Sequence, residues 1–303
     1  MINDISTILN FRYVEKFLSK KWYGGQYPDN FSDYKKILQE PPAIYNHFQY
    51  ILCGNIRINK QSKNNDVFCH TVSMHLLKQL TNKYPDNFNN LVIMGDDVFL
   101  SLKLNLLKSI KHRFKKIYYE SKNVECDWVQ TLPMGMNMAY MIINGGSDIL
   151  RHFNKQKNKT KLIASAFGSR FPWLTETIPD RSELKKITSN SDFIDDMFCE
   201  PTEYYENLCN YRFFACPLGN GIQTPKICEC IMCETVPVVT DHVAHRELRD
   251  IYNLPLLIVN EWSDLTEKFL NDQWNSVYSK IDWNLQKSQF LVKNFNNLLK
   301  NNK

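Results

Sequence analysis

Short apolar runs that alternate with helix-period segments predict an α/β protein with two parallel sheets, and three observations carry that prediction. Strand-like runs recur between amphipathic stretches long enough to be helices, the pattern of βαβ units. The alternation halts at a polar, basic segment, RHFNKQKNKTK (151–161), which reads as a linker, and then restarts. The two parts are of similar size, so residues 1–150 and 151–303 form two Rossmann-like halves. Parallel sheets facing each other leave a cleft, the default ligand site.

The elements follow in order. Residues 1–40 read as a helical, aromatic-rich opening. Strands are expected at Tyr50-Ile51-Leu52-Cys53, at 66–70, at Leu91-Val92-Ile93-Met94 and at Lys116-Ile117-Tyr118-Tyr119, with a fifth beyond Glu125 and Asp127. Helices are expected over 72–84 and 99–114. After the linker come strands at 162–167, 211–216, 236–239 and 256–259, and a helix from Arg181 to Ile187. A last helix, roughly 284–300, ends the chain, with the option of packing back on the first half.

Composition narrows the class. Of 303 residues, 43% are hydrophobic and 23% charged, the balance of a globular protein rather than a disordered one. The net charge of +5 suits an anionic ligand, and without blocks of like charge it does not indicate nucleic acid. No apolar stretch approaches the ~20 residues of a membrane span. The N-terminus has no basic start leading into a long apolar run, so the expected compartment is the cytoplasm. Nine cysteines, an odd number scattered through regular segments, read as reduced thiols.

The densest chemistry lies in PLGNGIQTPKICECIMCETVPVV (217–239). Gly219 and Gly221 permit a backbone path whose N–H groups approach a ligand closely. Thr224 suits an N-cap and Pro225 the first helical position, so the helix starts there and aims its free N–H groups at the loop. Phosphate fits such a place best. Lys226 stands in the first turn, where the helix dipole disfavours a cation unless an anion is near. Glu229 interrupts an apolar run and is placed to accept two hydrogen bonds from a ribose diol. The bland alternative is a surface Lys226–Glu229 pair worth a few tenths of a kcal/mol.

This segment, with LPLLIVNEWSDLTEKFL (254–270), resembles the C-terminal half of exostosin-like glycosyltransferases. Pro217, Gly219, Asn220, Gly221, Thr224, Glu229 and Pro237 match that pattern, and Lys226 replaces its arginine. Gln223, Pro225 and Cys228 stand where relatives have Asp, His and Trp. FGSRFPWLTETIPDRSEL (167–184) is similar to the family's strand, glycine and later arginine, which falls on Arg181. Leu132-Pro133-Met134-Gly135 resembles the family's Pro-x-Gly. The resemblance covers roughly 130–270. It implies a GT-B fold and a nucleotide-sugar donor held by Gly219, Asn220, Gly221, Thr224, Lys226, Glu229 and Arg181. It also implies inverting transfer to a glycan or glycoprotein acceptor. UDP-sugars are the expected donors, UDP-xylose first among them.

No Asp-x-Asp occurs, so Lys226, Arg181 and helix N–H groups are expected to offset the leaving diphosphate without a metal or other cofactor. Cys228, Cys230 and Cys233 lack the paired spacing of a zinc site and read as core thiols. Inverting transfer needs a base for the acceptor hydroxyl. Asp97 is the first candidate, in a Gly95-Asp96-Asp97-Val98-Phe99 stretch that faintly resembles the exostosin Gly-x-Asp-His-Phe. Asp96 is the adjacent alternative, and His70, closing the second strand, is the third. Either aspartate also suits the N-cap of the helix beginning near Phe99. Two other readings stay open: a nucleotide-binding module that has lost its chemistry, and a GDP-fucose-dependent transferase with a similar donor loop.

Overall fold

The computed structural model describes residues 2, 4–9, 43–84, 87–95, 97–137, 141, 146–154, 158–168 and 180–301. The helical opening and Asp96 lie outside them. The first sheet holds β1 (Tyr50–Cys53), β2 (Asn55–Ile58), β3 (Val67–His70), β4 (Phe88–Met94), β5 (Phe114–Tyr119) and β6 (Val129–Thr131). Its order is β2-β1-β3-β4-β5-β6, parallel except where β2 folds back on β1. The second sheet holds β7 (Lys161–Ser165), β8 (Ile194–Asp196), β9 (Tyr211–Ala215), β10 (Val236–Thr240) and β11 (Leu257–Val259). Its order is β11-β10-β9-β7-β8, with every pair parallel. The α/β architecture with two largely parallel sheets is the one expected from the alternation.

Two strands escaped the sequence reading, and both are edges. All of β2 is exposed or half-buried, and only Ile194 of β8 is buried. An edge strand with so little to bury writes no apolar pattern. The helices are α1 (Leu76–Lys83), α2 (Leu104–Ile110), α3 (Leu150–Asn154), α4 (Asp180–Ser189) and α5 (Tyr204–Leu208). Then come α6 (Lys226–Met232), α7 (Val243–Tyr252), α8 (Glu267–Ser276), α9 (Trp283–Ser288) and α10 (Val292–Asn301). The segment read as a linker is partly structural: α3 buries Phe153 completely. Lys159 turns its ammonium inward onto Cys209 O, Cys233 O and Thr235 Oγ1. Burial lowers its pKa. The single terminal helix is in fact two, broken where Leu291 pairs with Ile8 in an antiparallel bridge.

One apolar core joins the halves. Phe68, Val92 and Tyr118 from the first sheet belong to the same cluster as Phe214, Ile227 and Cys230 from the second. Phe295 and Leu299 of α10 complete it, and Leu299 O accepts from Asn90 Nδ2 on β4. The outer face of each sheet carries its own core. All nine cysteines are thiols, and those of α6 are buried in the shared core as expected. Cys216 Sγ and Cys230 Sγ lie 3.8 Å apart.

Candidate functional site

The polar groups gather at the carboxyl ends of the parallel strands, where open α/β sheets bind ligands. Gly95 and Asp97 follow β4, Glu120 and Ser121 follow β5, Phe167 and Gly168 follow β7, and the glycine loop follows β9. Between the halves lies a cavity of about 480 Å³. Asp97 of the first half lines it together with Arg181, Gly219, Asn220, Thr224, Lys226 and Glu229 of the second. His70 and Gly221 are not on its wall. A wider groove of about 800 Å³ runs past Leu162, Lys186 and Phe193, beside the amino ends of β7 and β8. Position on the strands, not size, marks the smaller cavity as the site.

The glycine loop is held from both sides. Asp180, buried at the start of α4, accepts from Leu218 N at 2.6 Å and from Trp262 Nε1 at 2.7 Å. Arg181 donates from Nε to Leu218 O at 3.0 Å and from Nη1 to Gly168 O at 2.6 Å. From the other side, Gln223 Nε2 donates to Glu120 O at 2.9 Å and Leu132 O at 2.8 Å. Gln223 Oε1 accepts from Met134 N at 3.2 Å. All these backbone partners of Gln223 belong to the first half, so a residue of the loop fastens it across the cleft.

Gly221 is needed for a different reason than ligand approach. A Cβ there would stand 2.5 Å from Ser121 Oγ and 3.2 Å from Asp97 Oδ1, so the opposite half occupies that space. At Gly219 the obstructing atom is Gln223 O, 2.6 Å away, which keeps the loop tight. Asn220 does face the cavity, and its buried Oδ1 has no partner among the described residues. α6 begins one residue later than expected, with Pro225 as the residue before it. Thr224 still serves the helix start: its carbonyl accepts from Ile227 N and its Oγ1, weakly, from Lys226 N at 3.4 Å.

The surface ion pair is overturned. Glu229 is 3% exposed, and its Oε2 accepts a hydrogen bond from the Tyr204 hydroxyl at 2.9 Å. Lys226 Nζ donates to the same hydroxyl at 3.2 Å and lies over the Tyr204 and Phe214 rings. The anion near Lys226 is therefore Glu229, reached through a phenol. Burial raises the Glu229 pKa, while Lys226 and the Tyr204 bond pull it down. Burial, and then the neighbouring Glu229 charge, push the Tyr204 phenol well up.

His70 ends β3 with its ring against Gly95, whose φ of +112° and lack of a Cβ both suit glycine. Gly95 N donates to Glu120 Oε2 at 2.6 Å, which fixes the turn that presents Asp97. Sequence reasoning missed Tyr204, Asp180, Glu120 and the clamping role of Gln223. Most of their partners are backbone groups or side chains distant in the chain, so no spacing signals them. Among the described residues no group of three or more His, Cys, Asp or Glu side chains is placed to hold a metal, and no helix is long and apolar enough to cross a membrane.

No family model matches this chain, and no curated protein matches its sequence. Among solved structures, it is similar to the N-terminal domain of Candida albicans trehalose-6-phosphate phosphatase. That match has 12% identity and a TM-score of 0.38, over 78% of this chain and 67% of the other.

Proposed function

We propose that this chain is a glycosyltransferase that moves a sugar from a UDP-sugar to a glycan or glycoprotein acceptor, with inversion and without a metal. One juxtaposition supports the reading: Asp97 from one half shares a cavity with Arg181, Asn220, Lys226 and Glu229 from the other. In this reading residues 151–303 hold the donor and residues 1–150 meet the acceptor, in the cytoplasm. Glu229 accepts the ribose diol, and the diphosphate lies at the glycine loop and the start of α6. Arg181 and Lys226 offset its charge as it leaves. Asp97 takes the acceptor hydroxyl's proton as that oxygen attacks the anomeric carbon. Asp96 and His70 are its alternatives.

A second reading, a nucleotide-binding module without turnover, draws on one observation: Arg181 and Lys226 already have partners inside the protein. The deciding experiment follows UDP release from a panel of UDP-sugars, UDP-xylose first, with and without EDTA. The expected outcome is release that EDTA does not change, and release abolished by EDTA removes the metal-free claim. UDP binding by calorimetry with no turnover on any donor favours the module. Thermal stabilisation by GDP above UDP favours a fucosyltransferase-like donor instead.

A further inference from the structure

Tyr204 opens α5 and stands between two residues of α6. Its hydroxyl accepts from Lys226 Nζ at 3.2 Å and donates to Glu229 Oε2 at 2.9 Å. The ammonium lies 4.8 Å from the centre of its ring. A phenol has one proton to give, and here it goes to the carboxylate. A chain therefore runs from ammonium to phenol to carboxylate, with Tyr204 9% and Glu229 3% exposed. Glu229 Oε1 has no hydrogen-bond partner among the described residues, and Glu229 lines the cavity.

Resting on the reading that this cavity takes a nucleoside diphosphate, we propose that Tyr204 is the positioning residue for Glu229. It fixes Oε2 and leaves Oε1 to the ribose diol, and so sets the preference for ribose-bearing nucleotides. A buried carboxylate with one oxygen held by a charged-assisted bond cannot rotate away from its ligand. Burial raises the Glu229 pKa, and the Lys226 charge and this bond both oppose that rise. On its own helix Glu229 has Lys226, Cys228 and Cys230 for neighbours, with Cys233 just past the helix end. From other elements Tyr204 comes with Tyr205, and Arg181 and Asp97 share the cavity wall. Without the Tyr204 hydroxyl, the carboxyl holds its proton to higher pH and accepts less well from a diol. Diol recognition is then lost as pH falls.

The test is calorimetric titration of UDP, 2′,3′-dideoxy-UDP and pyrophosphate into the parent protein, Tyr204→Phe and Lys226→Met, between pH 6 and pH 9. The parent is expected to prefer UDP over its dideoxy analogue by roughly tenfold or more, the effect of a hydrogen bond to a charged group. Tyr204→Phe should keep its pyrophosphate affinity, lose that preference at pH 6 and regain part of it as pH rises. An unchanged preference at every pH overturns the inference. So does equal weakening toward all three ligands, which is the mark of a merely structural role. A parent that binds UDP without the preference overturns it as well, while a parent that binds no UDP removes the nucleotide reading beneath it. Should Tyr204→Phe fail to fold, Lys226→Met reads the chain from its other end. Its preference, a ratio that phosphate contacts do not alter, should also fall at pH 6, and an intact ratio overturns the inference.

Discussion

Asp97 reaches the cavity from the turn that Glu120 fixes, and stands against the glycine loop where Gly221 leaves room for it. As the base, it needs a carboxylate that accepts a proton, not only a polar side chain of its size. Asp97→Asn keeps the size and much of the hydrogen bonding. Transfer should fall by the ~10²–10⁴ of lost general-base help. UDP affinity should stay near the parent's, because the proposed donor contacts lie on the other half. Steady-state turnover beside calorimetry separates the two effects. Undiminished turnover in Asp97→Asn passes the role to Asp96 and then to His70. At this scale the sequence was legible for Asp97, Arg181, Asn220, Lys226 and Glu229, which stand on one cavity. It was not legible for Tyr204, because both tyrosines of TEYYENL turn inward and nothing in the sequence says which one meets Glu229.

The helix after β10 carries its own pH sensor. His242 N-caps α7, its Nδ1 accepting from Ala244 N at 3.2 Å. A protonated imidazole has no lone pair to accept with, so the cap needs the neutral form. Burial, then the nearby His245 and Arg246, depress the pKa to about 4 from 6.5. A depressed histidine contributes stability above its unfolded value that is lost as pH falls toward the folded one. Between pH 7 and pH 4.5 the protein should lose about 2 kcal/mol through this group. Asn caps as well and does not titrate, so His242→Asn should lose about that much less over the same interval. Urea denaturation at the two pH values measures it, and parallel losses in both proteins refute the assignment. His245, also depressed by burial, is common to both proteins and cancels.

Across the whole molecule, the halves are joined by polar contacts as well as by the shared core. Lys122, buried at the end of β5, donates to Cys126 O, Val129 O and Glu247 Oε1. Glu247 Oε2 accepts from Thr131 N at 2.7 Å, and Tyr252 OH donates to Thr131 O at the same distance. Gln223 adds three bonds to first-half backbone. Truncating it leaves Met134 N and two carbonyls buried without their partner. Gln223→Ala should therefore destabilise the protein by roughly 2 kcal/mol or more, since each unsatisfied buried group costs about 1–3. The freed loop should also bind UDP more weakly. Urea midpoints with UDP titration check both, and a variant as stable as the parent would show that the loop does not depend on this clamp.

The alternation, and with it two parallel sheets, was legible in the sequence because strands buried on both faces must be apolar runs and their crossover helices amphipathic. So were the glycine loop and the start of α6 to within one residue, because turn and cap chemistry is local. Tertiary structure alone decided the rest. The edge strands β2 and β8 bury too little to be written in the pattern. The linker became α3 and a half-buried Lys159 because the shared core offered them partners distant in the chain. Gly221 owes its identity to Ser121 and Asp97 on the opposite half. Glu229 Oε2 owes its hydrogen bond to Tyr204, which lies 25 residues earlier. Such contacts form only when the halves close, and a one-dimensional pattern holds no record of which side chains then meet.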